Sequence, residues 1–316
     1  MLGAGASRGV SYEHRGEMPS PLDQDFFDLL QRLTKPLKND VGARQRVLDA
    51  VRTLPVAHRR SMEKSFYTLQ LRAFLAERLG EQAKEDEEVM RDFARCILAL
   101  LRKAHGKNKC TFHGEILGSL HRRDTVISFN YDLVPERALI ETAEERGVAF
   151  GDWIYGLGTH PGSYDFPLIL KLHGSANWKV EGENEFRGTV TKDWKAFGKQ
   201  PYYLGFKNDG SVFPIFLPFW EKRIGRGIWQ ELWKTAYSRL SKTSTLIVWG
   251  YSLPMTDVKA QQLFALTLKK LVRLCVIDPS RATHERWREI VPDALYWEFS
   301  DVKDFLGHSP SWWRSV

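Results

Sequence analysis

The sequence predicts an α/β fold: a Rossmann-like, mainly parallel sheet flanked by helices. Three observations predict it. Short apolar runs of strand length recur through the second half of the chain, at Thr125–Phe129, Leu168–Leu172, Leu246–Trp249, Leu274–Ile277 and Leu295–Phe299. Amphipathic stretches separate most of them, at 133–146, 226–241, 256–271 and 281–290. Strand alternating with helix is the signature of βαβ units. Gly-containing turns and polar clusters follow the runs, where ligands bind in open α/β sheets.

Taken in order, Met1 to Gly9 form a Gly-rich loop, followed by Leu22, Phe26, Leu29, Leu30 and Leu33 at helical spacing. Residues 35–60 are polar and show no clear period. Residues 61–104 read as two long helices. One carries Met62, Phe66, Leu69, Ala73 and Ala76; the other carries Val89, Phe93, Ile97, Leu100 and Leu101. The acidic run Glu85 to Glu88 suits the positive N-terminal end of the second helix, and Gly106 is expected to stop it. Residues 180–220, rich in Gly, Pro and aromatics, read as an irregular excursion over the sheet edge. The expected organisation is one domain over 1–316, with residues 35–115 a helical insertion or subdomain within it.

The 316 residues are 43% hydrophobic and 27% charged, which excludes a disordered chain. No stretch approaches the ~18 apolar residues of a membrane helix. The start lacks the pattern of a signal peptide. Cys96, Cys110 and Cys275 have no CxxC spacing, which argues against a disulfide scaffold and a zinc ribbon. A cytoplasmic protein without a metal is expected. The net charge of +7 is spread along the chain, and 131–218 is its net-negative stretch. Direct nucleic-acid binding is therefore not expected.

The candidate chemistry lies in five places. Gly3-Ala4-Gly5-Ala6-Ser7 fits either a phosphate-approaching turn or a plain one. Asn130 and Asp132, in Ser128-Phe129-Asn130-Tyr131-Asp132, fit a strand-end ligand site or a turn with Asp132 as N-cap. His173, in Lys171-Leu172-His173-Gly174-Ser175, fits a general base or a structural histidine. Gly250 and Ser252, in Gly250-Tyr251-Ser252-Leu253-Pro254-Met255-Thr256-Asp257, fit a phosphate or ribose contact or an ordinary loop. Asp278, in Asp278-Pro279-Ser280, fits a ribose or adenine contact or a strand-end turn.

In order and spacing, these five motifs resemble the sirtuin family, the silent information regulator domain that binds NAD. The chain looks closest to the bacterial sirtuin-like domains of anti-phage defence. Its G-A-G-A-S is similar to the family's G-A-G-x-S, and Ser-Phe-Asn-Tyr-Asp stands where sirtuins have T-Q-N-I-D. Leu-His-Gly matches the catalytic H-G, Gly-Tyr-Ser-Leu-Pro stands for G-T-S-L, and Val276-Ile277-Asp278 lies near the late I-N. Pro218 and Trp220 also look like a feature of that branch. The resemblance runs from Gly3 to about Ser280. Two departures bear on activity. The zinc ribbon of two CxxC pairs that helps build the acyl-peptide channel is missing. The stretch G-I-P-D-F-R is not kept where Gly9-Val10-Ser11-Tyr12-Glu13-His14-Arg15 stands.

The resemblance implies an NAD hydrolase, with NAD as substrate and nicotinamide and ADP-ribose as products. Asp132 would hold the carboxamide, Asn130 the ribose hydroxyls or the attacking water, and His173 would be general base. Gly3, Ala4, Gly5 and Ser7 would cradle the pyrophosphate, Gly250 and Ser252 would contact phosphate or ribose, and Asp278 the adenosine end. It further implies an effector that depletes NAD in infected bacteria, acting as a homo-oligomer or with a HerA-type ATPase or an Argonaute-like partner. The tail Ser311-Trp312-Trp313-Arg314 is a candidate contact. A protein deacylase, an ADP-ribosyltransferase and a non-catalytic NAD or ADP-ribose subunit remain the alternatives.

The family's G-A-G turn follows a central strand of about five residues. Only Met1 and Leu2 precede it here, so the first strand is expected to be truncated. A protein beginning at Met1 is expected to fold poorly; a sharp cooperative thermal melt with NAD binding by that form would overturn this.

Overall fold

A computed structural model describes residues 1–8, 18–33, 42–80, 84–105, 110–146, 152–156, 166–181, 187–190 and 227–308. Gly9 to Arg15, Gly106, Pro218, Trp220 and the tail from Ser311 lie outside the described residues. So does most of the 180–220 excursion.

The strands are β1 (Thr125–Ser128), β2 (Leu168–Lys171), β3 (Trp178–Glu181), β4 (Arg187–Val190), β5 (Thr245–Trp249), β6 (Arg273–Ile277) and β7 (Leu295–Phe299). Five of them coincide with the predicted apolar runs. β1 pairs with β2 in parallel, with Thr125 opposite Leu168 and Ser128 opposite Lys171. β5, β6 and β7 form a parallel set, with Thr245 opposite Arg273 and Arg273 opposite Leu295. One departure from the prediction is local: β3 and β4 pair antiparallel, Trp178 opposite Val190, so the excursion begins as a hairpin.

The two parallel sets are joined by the first residues of the chain. Leu2 bridges Ser128 on one side and Trp249 on the other, both in parallel sense. Its N–H donates to Ile127 O (2.8 Å) and its carbonyl accepts from Phe129 N (3.0 Å). On the opposite edge Met1 O accepts from Trp249 N (2.8 Å), and Gly3 N donates to Trp249 O (3.0 Å). Residues 1–3 thus hold the central strand position, with Leu2 bridged and ladder bonds on both flanks. The spatial order is β2, β1, residues 1–3, β5, β6, β7. With residues 1–3 counted first, that is the doubly wound order 3-2-1-4-5-6, whose switch point falls between residues 1–3 and β5.

Burial follows position in the sheet. β2 (Leu-Ile-Leu-Lys) is buried throughout, as a parallel strand covered on both faces must be. β7, at the edge, is mostly half-buried or exposed. Helices cover the sheet: α7 (Val134–Glu145), α8 (Gly227–Leu240), α9 (Val258–Thr267), α10 (Arg281–Ile290) and α11 (Val302–His308), counting from α1 (Ala4–Ser7). Trp229, Trp287 and Phe305 are among the fully buried side chains beneath them.

The remaining helices are α2 (Phe26–Arg32), α3 (Ala43–Thr53), α4 (Met62–Arg78), α5 (Lys84–His105) and α6 (Thr111–Gly118). The polar stretch 35–60, without a legible period, contains α3. That helix buries only Ala43, Val47 and Val51 along its length. Ser61 caps α4, its Oγ accepting from Lys64 N (3.1 Å). α5 opens on the acidic run and carries Arg102 and Lys103 in its last turn, matching its dipole at both ends. α2 to α5 build a second apolar core around Phe93, whose ring lies 6.0 Å from both Phe26 and Phe27 and 5.6 Å from Phe66. Leu133 and Ala176, from the turns after β1 and β2, belong to that core. The helical layer therefore packs directly on the strand ends. No described helix is long and apolar enough to cross a membrane.

The Gly250 turn fixes how β5 meets the first strand. Gly250 has φ +62°, and a Cβ there would lie 2.1 Å from Ala6 N and 2.4 Å from Gly5 C. Gly250→Ala is expected to destabilise the fold by more than the ~1–3 kcal/mol of ordinary overpacking, because the obstacle is backbone and the φ is positive. Urea denaturation of the variant beside the parent measures this.

Candidate active site

The site is built at the carboxyl ends of residues 1–3, β1, β2 and β5. Gly3 and Gly5 lie against Gly250: a Cβ on Gly3 would meet Gly250 O at 2.4 Å, and one on Gly5 would meet Gly250 Cα at 2.8 Å. Gly5 N donates to Gly250 O (2.9 Å). Gly3 and Gly250 are thus required by close backbone approach. Ala4 is exposed on the outside of the same turn.

One turn later the chain buries Ser7 completely. Its hydroxyl donates to Asp132 Oδ2 (2.5 Å) and accepts from Asn130 Nδ2 (2.9 Å). Asn130 Nδ2 also donates to Gly3 O (2.7 Å). Both amide hydrogens of Asn130 are therefore committed to the first turn, which directs its Oδ1 as the atom that can accept from a ligand. Asp132 accepts from Val134 N through Oδ1 (3.0 Å), so it caps α7 as well as holding Ser7. Gly3, Ser7, Asn130 and Asp132 form one hydrogen-bonded chain, Asn130 to Ser7 to Asp132. The Ser7 hydroxyl thus cross-links the other two polar residues.

A second layer of buried charge supports this chain. Lys171 ends the apolar strand β2 with no exposed surface; its Nζ lies 3.3 Å from Glu136 Oε1 and donates to the Asp132 carbonyl (2.5 Å). Tyr155 donates to the same Glu136 oxygen (3.2 Å), and Asn177 Nδ2 donates to Tyr155 (3.0 Å). Burial pushes the Glu136 carboxyl up, while Lys171 pulls it back. Burial also opposes ionisation of Asp132. The charges of His105 and Lys171 and the hydrogen bonds from Ser7 and Val134 outweigh it and hold Asp132 below the ordinary carboxylate value. Burial pushes His105 down to about 4, so near neutral pH Lys171 is the cation that does this. The sequence signal for this layer was a lone lysine inside the run Leu168–Leu172.

His173 follows β2, on a turn where Gly174 has φ +90°. Its Nε2 lies 2.8 Å from Asp257 Oδ2, and Tyr251 donates its hydroxyl to the same oxygen (2.9 Å). The imidazole and carboxylate are buried, Asp257 completely. Phe129, one residue before Asn130, holds the His173 ring edge-on at 4.9 Å and stacks on Tyr251 at 4.2 Å. It ties the His173 side of the site to the Asn130 side. The intervening loop carries Leu253 at φ +52°, a strained conformation for a bulky residue and a mark of an over-determined site.

Two predicted residues stand apart. Ser252 is exposed, and its carbonyl accepts from Arg286 Nε (2.9 Å). Asp278 follows β6, and its Oδ1 accepts from Ser280 N (2.9 Å), the local turn that the sequence also allowed. Among the described residues no group of three or more His, Cys, Asp or Glu could hold a metal ion.

No family model matches the chain, and no curated protein matches it. Solved structures similar to it include a Sir2 homolog–NAD complex, at 14% identity over 95% of this chain and 82% of that one, with a TM-score of 0.42. Another is Sir2 bound to an acetylated peptide, at 16% identity over 70% of this chain and 76% of that one, with a TM-score of 0.41.

Ser7→Ala is expected to cost about 1–3 kcal/mol, since it leaves buried donors and acceptors on Asn130 and Asp132 unmatched. Asp132 is depressed when folded. Its stabilisation is therefore present above its unfolded pKa of about 3.9 and is lost as pH falls through the lower folded value. Without the Ser7 donor that folded value rises, so acid unfolding of Ser7→Ala is expected at higher pH than in the parent. Circular dichroism against pH checks both.

Proposed function

We propose that the protein hydrolyses NAD to nicotinamide and ADP-ribose. The observation that carries the reading is that Asn130 and Asp132, bonded through Ser7 to the Gly3 turn, and His173, whose ring lies against Phe129, all follow the carboxyl ends of parallel strands in a doubly wound sheet. These are the residues for which the sequence resembles the sirtuin site. Open α/β sheets bind ligands at that position.

In the reaction the bond between the nicotinamide nitrogen and the ribose anomeric carbon breaks. Its electron pair goes to the ring nitrogen and neutralises it. Water supplies the new C–O bond and gives up a proton. Asp132, held ionised, is an acceptor only and suits the N–H donors of the carboxamide. Asn130 Oδ1 accepts from a ribose hydroxyl or from the attacking water, with the amide fixed by Gly3 and Ser7. His173 takes the proton. In this reading Gly3, Ala4, Gly5 and Ser7 cradle the pyrophosphate through backbone N–H groups, Gly250 and Ser252 contact phosphate or ribose, and Asp278 contacts the adenosine end. Residues 35–115 act as a helical insertion in a single domain.

The same resemblance extends the proposal to a cytoplasmic effector of bacterial anti-phage defence. It would act as a homo-oligomer or with a HerA-type ATPase or Argonaute-like partner, and it needs no metal.

The test is NAD turnover by the purified full chain, with nicotinamide and ADP-ribose resolved by chromatography, beside Asn130→Ala and His173→Ala. Each variant is expected to lose about 10²-fold or more in kcat, measured at a temperature where circular dichroism shows it folded. Turnover equal in all three proteins would overturn the site assignment.

A further inference from the structure

Asp257 has no role in the proposed chemistry, yet it is the most deeply buried carboxylate touching the candidate base. It reaches the site from the far end of the loop that follows β5, at the N-cap position of α9, but no side-chain capping bond is made there. Its Oδ2 is 2.8 Å from His173 Nε2 and accepts from Tyr251 OH at 2.9 Å. An ionised carboxylate only accepts hydrogen bonds, so the imidazole must donate from Nε2. In the neutral ring that places the proton on Nε2 and the lone pair on Nδ1. The ring plane is fixed as well, by Phe129 edge-on at 4.9 Å and Tyr131 at 6.3 Å.

We infer that Asp257 is the positioning residue for His173: it sets the imidazole tautomer, aims Nδ1 at the proton to be removed and stabilises the imidazolium formed. This deepens the proposed NAD hydrolysis and rests on it for the identity of the proton. The step balances simply. Nδ1 gains the proton that water loses as its oxygen bonds the anomeric carbon, and the imidazolium later releases that proton to solvent. Asp257 stays ionised throughout. Tyr251 tunes the carboxylate, because its hydroxyl competes with the imidazole for the same oxygen.

The titratable groups facing the pair come from three elements. Tyr131 lies on the loop after β1, Tyr251 on the loop after β5, and Glu63 on α4, where its Oε2 accepts from Thr256 Oγ1 (2.6 Å). Burial pushes both phenols well above their ordinary range, so neither changes charge near neutral pH.

The test combines heteronuclear NMR of histidine-labelled full-length protein with pH profiles of NAD cleavage. His173→Gln assigns the His173 signals. The parent is expected to show the Nε2–H tautomer. In Asp257→Asn that tautomer is expected to be lost and the imidazole pKa to fall by about one unit. The acidic limb of kcat should move down by the same amount, with kcat reduced about 10²-fold and KM for NAD little changed. Tyr251→Phe keeps the volume and removes only the competing donor. Its acidic limb is expected to move the opposite way, upward. An unchanged tautomer and limb in Asp257→Asn would overturn the assignment. If Asp257→Asn does not fold, a Tyr251→Phe limb that stays in place or moves down would overturn it. If the parent does not cleave NAD, the hydrolase reading falls, while the NMR titrations still decide whether Asp257 governs His173.

Discussion

The backbone of Gly3 to Ala6 lies against the backbone of Gly250 at a distance that leaves no room for a Cβ on Gly3, Gly5 or Gly250. Everything at the site depends on that contact. It closes the gap between β1 and β5, which no other described strand spans, and it does so through the bridged residue Leu2. The ladder bonds of Met1, Leu2 and Gly3 satisfy groups that would otherwise be buried and unpaired, at a cost comparable to the bonds themselves. The same contact delivers Ser7 to Asn130 and Asp132. Sheet continuity and site geometry are therefore consequences of one close approach.

The second requirement is that buried charge be compensated. Lys171, Glu136, Asp132 and Asp257 are all buried at the strand ends. An ion pair taken out of water gains little net stability, and losing one partner costs several kcal/mol. Lys171 answers two of these groups, pairing with Glu136 and bonding the Asp132 carbonyl. His105 and His113 lie behind them, and burial pushes them down to about 4 and about 3. They are neutral near neutral pH and add no competing cation. A fold maximising stability would place apolar residues at these positions. Their presence here fits a site in which Asp132 must stay ionised and His173 must stay oriented.

Much of the scaffold was legible because strand runs and helix faces are local signals. The five parallel strands and the acidic start of α5 follow from spacing alone. What escaped was non-local or depended on composition. α3 buries too few apolar residues to show a period within its polar stretch. The β3–β4 hairpin has no strong turn signature. The Ser7 hydroxyl's partner could not be read, because its motif says nothing of Asn130 more than a hundred positions away. Lys171 carried a signal, a charge closing an apolar run, whose meaning required its partner Glu136. Asp257 was the last letter of a quoted motif, and only the fold brings it to His173.

The helical layer belongs to this site as much as the sheet does. Leu133 and Ala176, which flank Asp132 and His173 in their turns, are buried in the core of α2 to α5 rather than in that of the sheet. Ala176 N also donates to Tyr131 O (2.8 Å), tying the turn after β2 to the turn after β1. Glu63 at the start of α4 takes the hydroxyl of Thr256, the neighbour of Asp257. Three strand-end turns are thus held from above by one body of helices whose interior is shared with them. Side chains in a close-packed core have few alternative arrangements, so any displacement of those helices must carry the Asp132 and His173 turns with it. The geometry of the proposed proton transfer is in that sense set by both cores together.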